Sequence, residues 1–184
     1  MVIVFIGPPG CGKGTQANIL KDTILPNLNI ITVSTLLKEK SQDESILGKE
    51  IKNKMDNGDL IEDAIVISVL KEKVSALLNE NILIDGFPRS SIQAESLIEI
   101  FDGRVISIIN FEVDDIQLVQ RIKKRSMEES RADDSVFEKR LKIYKKTHQE
   151  ITNVLRKNYL VSDIQANDEI NDVTTKIVDK LGLN

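Results

Sequence analysis

Nine residues near the start constrain this chain most: Gly7-Pro8-Pro9-Gly10-Cys11-Gly12-Lys13-Gly14-Thr15. The apolar run Val2-Ile3-Val4-Phe5-Ile6 before them reads as a buried strand. A helical pattern follows over residues 13–23, beginning with Gln16-Ala17-Asn18-Ile19-Leu20. Strand, glycine-rich loop and helix form the context that a phosphate-binding loop needs. Glycines let backbone N–H groups turn toward an anion with no Cβ in the way. The helix adds the positive end of its dipole. Lys13 can reach terminal phosphates as a mobile point charge. The bland alternative is an ordinary β-to-α turn. Lys13 at that offset, with Thr15 close behind, argues against it.

Composition narrows the field. The chain has 184 residues, enough for one well-buried core plus small insertions. A net charge of −4 argues against a nucleic-acid partner. No later stretch is apolar enough for a membrane span, and the first apolar run reads as a strand, not a leader. Cys11 is the only cysteine and His148 the only histidine. That leaves no intrachain disulfide and no ordinary zinc site, and suggests a cytoplasmic setting. Seven of the 25 basic residues are arginine, and four of these, Arg121, Arg125, Arg131 and Arg140, fall within residues 121–140. A guanidinium fork holds two phosphate oxygens at once, which an ammonium cannot. A solvated, salt-bridged helix face is the plainer explanation of such a run. The concentration of arginine in a lysine-rich chain favours phosphate.

Along the chain, strands are predicted at Ile30-Ile31-Thr32-Val33, Ile82-Leu83-Ile84, Val105-Ile106-Ser107-Ile108-Ile109 and Tyr159-Leu160-Val161. Residues 34–60 are polar with helical spacing and read as a small insertion ended by Gly58. An amphipathic helix is predicted over residues 62–79, burying Ile65, Val69, Leu70, Val74, Leu77 and Leu78. The third strand delivers Asp85-Gly86-Phe87-Pro88-Arg89. A carboxylate at such a strand end lies where parallel α/β sheets place ligand chemistry; a turn or helix cap is the plainer role. Ser90 and Ser91 cap a helix carrying Gln93. Asp114 and Gln117 are predicted to form a capping box for a helix ending near Arg125. A polar break at residues 126–130 precedes a long helix with Phe137, Leu141, Tyr144, His148, Ile151 and Leu155 on one face. A last helix is marked by Val173, Ile177 and Leu181. The alternation implies an α/β fold with a mostly parallel sheet covered on both faces.

The loop departs from the general pattern, because Gly14 and not a hydroxyl follows the lysine. In that form, with Pro9 before Gly10, it resembles the phosphate loop of adenylate kinases. The resemblance extends over nearly the whole chain. Asp85-Gly86-Phe87-Pro88-Arg89 with Gln93 resembles the family's second motif. Arg121 and Arg125 match arginines before its lid, Arg131 with Asp133-Asp134 the segment after it, and Arg140 an arginine of the long helix. Only five residues separate Arg125 from Arg131, as in the short-lid form without zinc.

The resemblance implies a P-loop kinase fold. Its core would comprise residues 1–31, 62–123 and 135–184 around a five-stranded parallel sheet. Residues 32–61 would form the NMP-binding insertion and residues 124–134 the short lid. It implies a monomer that transfers the terminal phosphoryl group of Mg-ATP to AMP, giving two ADP. Gly10, Cys11, Gly12, Lys13, Gly14, Thr15, Arg121, Arg125 and Asp168 would hold ATP, and Asp85 would orient waters on Mg²⁺. The AMP side would comprise Val33, Lys38, Asp59, Leu60, Ile61, Gly86, Phe87, Pro88, Arg89, Gln93, Arg131 and Arg140. The catalytic charges would be Lys13, Arg89, Arg121, Arg125, Arg131 and Arg140. No general base is needed, since the acceptor phosphate is already an anionic nucleophile. Two positions depart from the family pattern: Val33 stands for a threonine and Lys38 for an arginine. A UMP/CMP kinase is the alternative, against which Gln93 argues. A GTPase is suggested only by Asn53-Lys54-Met55-Asp56, which lies inside a helical pattern. A dead nucleotide-binding scaffold would not need Lys13, Asp85, Arg89, Arg125, Arg131 and Arg140 together.

Overall fold

The computed structural model describes residues 1–77, 80–101, 103–128 and 137–183, the side chains of residues 125–128 excepted. Five parallel strands form one sheet: β1 (Val2–Ile6), β2 (Leu28–Thr32), β3 (Asn81–Asp85), β4 (Ile106–Glu112) and β5 (Leu160–Gln165), in the order β2-β3-β1-β4-β5. All five C-terminal ends therefore share one edge. The connection leaving β1 leads toward β2 at one edge of the sheet and that leaving β4 toward β5 at the other, and strand ends at such a reversal are where open α/β sheets place ligands.

Among the described residues eight α-helices accompany these strands: α1 (Lys13–Ile19), α2 (Val33–Lys40), α3 (Ile46–Asp56), α4 (Asp63–Ser75), α5 (Ser91–Phe101), α6 (Asp115–Glu128), α7 (Phe137–Asn158) and α8 (Ile170–Leu181). A π-helical turn, Leu20–Ile24, prolongs α1. Alternation along the strands divides the core. Val2, Val4, Ile82, Ile84, Ile106 and Ile108 face α2, α3, α4, α5 and the far half of α7. Ile3, Phe5, Leu83, Ile109 and Phe111 face α1, α6, α8 and the start of α7.

Several predicted boundaries move, each for a local reason. Val33 is not in β2; it opens α2 and is 3% exposed in the core. Strand β4 begins after Val105, which is exposed, and runs on to Glu112. The polar Asn110 hides that extension in the sequence; inside the sheet its Nδ2 donates to Asp163 Oδ1 at 2.9 Å. Strand β5 likewise extends to Gln165, since as an edge strand it needs no apolar run. Helix α4 stops at Ser75 and buries Val66, Leu70 and Val74, with Val69 only half-buried. The predicted break at residues 126–130 does not begin at 126, because α6 continues through Glu128. The capping box does not form: Asp114 Oδ2 accepts from Asn167 Nδ2 at 2.9 Å, and Gln117 Oε1 from Arg121 at 3.4 Å. Leu78, Asn79, the predicted lid beyond residue 128 and Arg131 lie outside the described residues. No described helix is long and apolar enough to cross a membrane.

On α7 the rings of Tyr144 and His148 stack with centroids 4.6 Å apart. Burial holds the His148 imidazole below its ordinary value of 6.5; nearby Asp163 works against this and Arg156 with it. A histidine that resists protonation only when folded destabilises the fold as pH drops, because the unfolded chain takes up the proton first. Melting temperature is therefore expected to fall as pH decreases through about 6.5. The slope between about pH 7.5 and 5.5 should vanish in His148→Gln, the only histidine having been removed. Scanning fluorimetry across that range checks it; an unchanged slope in the variant would assign it elsewhere.

Candidate active site

The loop after β1 is shaped by its glycines. Gly10 has φ +81°, and a Cβ there would lie 2.9 Å from Ile122 Cδ1, so α6 packs directly on the loop. Gly12 has φ +101° at the N-cap of α1, and no described atom lies within 4 Å of where its Cβ would be. A side chain would be strained there, while the open space leaves backbone accessible to an anion. Lys13 curls back over the loop. Its Nζ donates to the carbonyls of Gly7 and Pro8, both at 2.9 Å, and lies 3.4 Å from Cys11 Sγ. Gly14 and Thr15 are exposed, and Cys11 is buried.

Three further elements converge on this edge. Asp85 ends β3 in register with Phe5 of β1 and Thr32 of β2. Its Oδ2 lies 3.9 Å from the Cβ position of Gly14, which places a carboxylate beside the loop; Thr15, the next residue, is exposed. From α6, Arg121 donates to Cys11 O at 3.3 Å and to Ala166 O at 2.7 Å, tying the phosphate loop to the β5–α8 connection. In that connection Asp168 is ion-paired with Lys176.

A second polar cluster adjoins β3. Gly86, at φ +87°, offers its carbonyl to Arg89 Nε at 2.9 Å, and the intervening Phe87–Pro88 peptide is cis. The Arg89 backbone N–H donates to Gln93 Oε1 at 2.7 Å. Gln93 Nε2 donates to Asp63 Oδ1 at 2.8 Å, and so does Ser90 Oγ. Gln93 is 3% exposed, so both ends of its amide are engaged inside the protein. These bonds fix which end is oxygen and which is nitrogen. Asp63, the first residue of α4, was not singled out in the sequence. Its partners lie 27 and 30 residues away, and no local pattern reports a bond of that reach.

The remaining predicted residues are placed as follows. Phe87 and Pro88 are buried; Val33 and Ile61 belong to the core. Lys38, Asp59 and Leu60 are exposed, and Arg140 is half-buried on α7. The backbone of Arg125 lies in α6. Asn53-Lys54-Met55-Asp56 ends α3, with Asn53 bonded to Asn57, which leaves no loop for guanine recognition there. Among the described residues, no three His, Cys, Asp or Glu side chains gather as a metal cage.

The family model described as adenylate kinase matches residues 5–160. That span holds the phosphate loop, Asp85, the Arg89–Gln93–Asp63 cluster and Arg121. The chain belongs to the adenylate kinase family. Its chemistry is adenylate-kinase-type phosphoryl transfer, and the described fold is the five-stranded parallel sheet expected of that family. An adenylate kinase of Prochlorococcus marinus (strain MIT 9211) is 34% identical, over 98% of this chain and 97% of its own. One from Maricaulis maris (strain MCS10) is 40% identical over 78% and 79%, and one from Leptospira biflexa (strain Patoc 1 / Ames) 38% over 72% and 73%. None of these relatives favours the pyrimidine-nucleotide alternative.

Proposed function

We infer that the protein reversibly transfers the terminal phosphoryl group of Mg-ATP to AMP, giving two ADP, and that its two polar clusters divide the substrates between them. The observation that carries this is the position of Lys13. Its ammonium is centred on the phosphate loop, one strand away from the Asp85 carboxylate and the Arg89 cluster. On this reading Gly10 to Thr15 and Lys13 hold the donor phosphates, with Arg121, Arg125 and Asp168 on the nucleoside side. Arg89 and Arg140 take the acceptor phosphate, and Gly86 faces the acceptor base with Asp59, Leu60 and Ile61, while the buried Gln93 holds that side of the site through its bonds to Arg89 and Asp63. Val33, buried at the start of α2, acts through its backbone and packing. Arg131 belongs to the proposed lid, residues 124–134, which closes with the proposed insertion, residues 32–61, to exclude water.

The donor set near Asp85 suits a hard cation. One carboxylate and an exposed threonine beside a phosphate loop match Mg²⁺, which keeps several waters and takes its other ligands from substrate phosphates. Bound there, Mg²⁺ would offset charge on the donor phosphates, and Asp85 would orient its waters. A cytoplasmic setting is supported by the single cysteine; a monomer is the state the family resemblance implies.

A coupled assay with ATP and each of AMP, CMP, UMP and GMP tests the assignment. AMP should be the best acceptor; faster transfer to UMP or CMP would replace it with the pyrimidine-nucleotide reading. Acceptor affinity should be weakened by Lys38, which keeps a charge but lacks the guanidinium fork. Lys38→Arg is expected to lower the KM for AMP about fivefold while hardly changing that for ATP. Equal changes in both would place Lys38 away from the acceptor.

A further inference from the structure

We propose that Lys139 is a positioning residue for the acceptor: it clamps the short segment after α3 against the first turn of α7. The inference rests on the acceptor assignment above and adds a residue that the family motifs do not include. Lys139 Nζ lies 2.6 Å from Asp59 Oδ1 and donates to the carbonyl of Asn57 at 2.9 Å. Asp59 begins the stretch Asp59-Leu60-Ile61 assigned to the acceptor base. Lys139 immediately precedes Arg140, assigned to the acceptor phosphate. One helical turn thus references both ends of the acceptor.

The segment needs such a reference. Its upstream bonds run back into α3, from Gly58 N to Met55 O at 3.1 Å and from Asp59 N to Lys54 O at 2.9 Å. Those bonds hold the segment to α3, which packs in the core through Ile51. Asp59 and Leu60 are exposed between the buried Gly58 and Ile61, and the bonds to α3 stop short of Leu60. Helix α7 is rooted in the core through Phe137, Ile151 and Leu155. Lys139 joins the exposed stretch after α3 to the first turn of that helix.

The pair is about half exposed, at 47% for Lys139 and 49% for Asp59. An ion pair of that kind contributes little to folding and is screened by salt. Its effect is on the fraction of molecules whose segment is already in the acceptor-binding position. Apparent affinity falls in proportion to that fraction. Acceptor binding should therefore respond while the fold and the donor site do not.

The test is steady-state kinetics on the full chain, with melting temperature in parallel. Lys139→Met is expected to raise the KM for AMP about fivefold, with kcat and the KM for ATP within about twofold of wild type. Asp59→Asn should raise the same KM. The exchanged pair, Lys139→Asp with Asp59→Lys, should recover part of the loss, because the attraction is restored with the charges reversed while the bond to the Asn57 carbonyl is not. Raising salt to about 0.5 M should raise the wild-type KM for AMP by a larger factor than that of Lys139→Met, which has no clamp left to screen. An unmoved KM for AMP in Lys139→Met, or no recovery in the exchanged pair, overturns the clamp. If wild type takes another monophosphate, the acceptor assignment fails, and the same shift measured with that substrate still decides the clamp.

Discussion

Lys13→Met is expected to lower kcat by about 10²–10³-fold while leaving the fold intact. The side chains have similar length, so methionine keeps the packing of the stem and removes only the ammonium. That ammonium is aimed across the loop, within 2.9 Å of the Gly7 and Pro8 carbonyls. On the proposed assignment, a donor nucleotide would draw it from those carbonyls onto phosphate oxygens. Its gain is greatest where charge shifts during transfer. Removing one such preorganised donor from a transition state corresponds to about 2.7–4 kcal/mol. The lost carbonyl contacts contribute about 1 kcal/mol to stability, so a small fall in melting temperature accompanies the kinetic effect. The KM for ATP should rise less than kcat falls, since ground-state binding is shared with the backbone amides of Gly10 to Thr15. A folded variant with near-native turnover would remove Lys13 from the mechanism.

Arg89→Lys should reduce kcat/KM for AMP about a hundredfold and change the KM for ATP by less than about twofold. Arginine here is held by position as well as by charge. Its Nε is tied to Gly86 O at 2.9 Å, and its backbone N–H to Gln93 Oε1 at 2.7 Å. Through Gln93 the anchor continues to Asp63 and α4. A lysine at 89 keeps the backbone link but has no Nε–H to donate to Gly86, and its ammonium is not held in a plane. The loss of one charge-assisted bond is worth about 1.5–3 kcal/mol, and the loss of the anchor adds to it. Initial-rate kinetics with each substrate varied in turn separate the two KM values. A matched loss for both nucleotides would move Arg89 from the acceptor side to the shared centre of the site.

How much of this was legible beforehand depended on whether the informative partners were close in sequence. The phosphate loop announces itself because strand, glycines, lysine and helix are contiguous. Asp85 was readable for the same reason, following three apolar strand residues directly. Strand β4 was cut short because Asn110 looks like an exit from the sheet. Only the distant Asp163, on a neighbouring strand, makes a polar side chain tolerable there. Val33 read as the end of a strand because β-branched residues suit both a strand end and the first turn of a helix. Ser90 was legible as a helix cap, and its Oγ does accept from the Gln93 N–H at 3.1 Å, but its bond to Asp63 was not, because their meeting depends on how α4 packs on α5. Lys139 is one lysine among many, and its chemistry follows from what stands opposite it.

Helix α7 has a mechanical meaning beyond the residues it carries. It spans 22 residues, about 33 Å at helical rise. Phe137 is buried with the helices on one face of the sheet, and Ile151 and Leu155 in the opposite core. A beam embedded at both ends can neither swing nor slide without opening one of its mountings. Its first turn is therefore the fixed jaw of a vice, and Lys139 and Arg140 are machined into that jaw. The segment holding Asn57 and Asp59 is the opposite jaw. On the proposed assignment the acceptor would be aligned by bringing one side against a stationary reference, so a single adjustment, and not two coordinated ones, would bring the substrate into line.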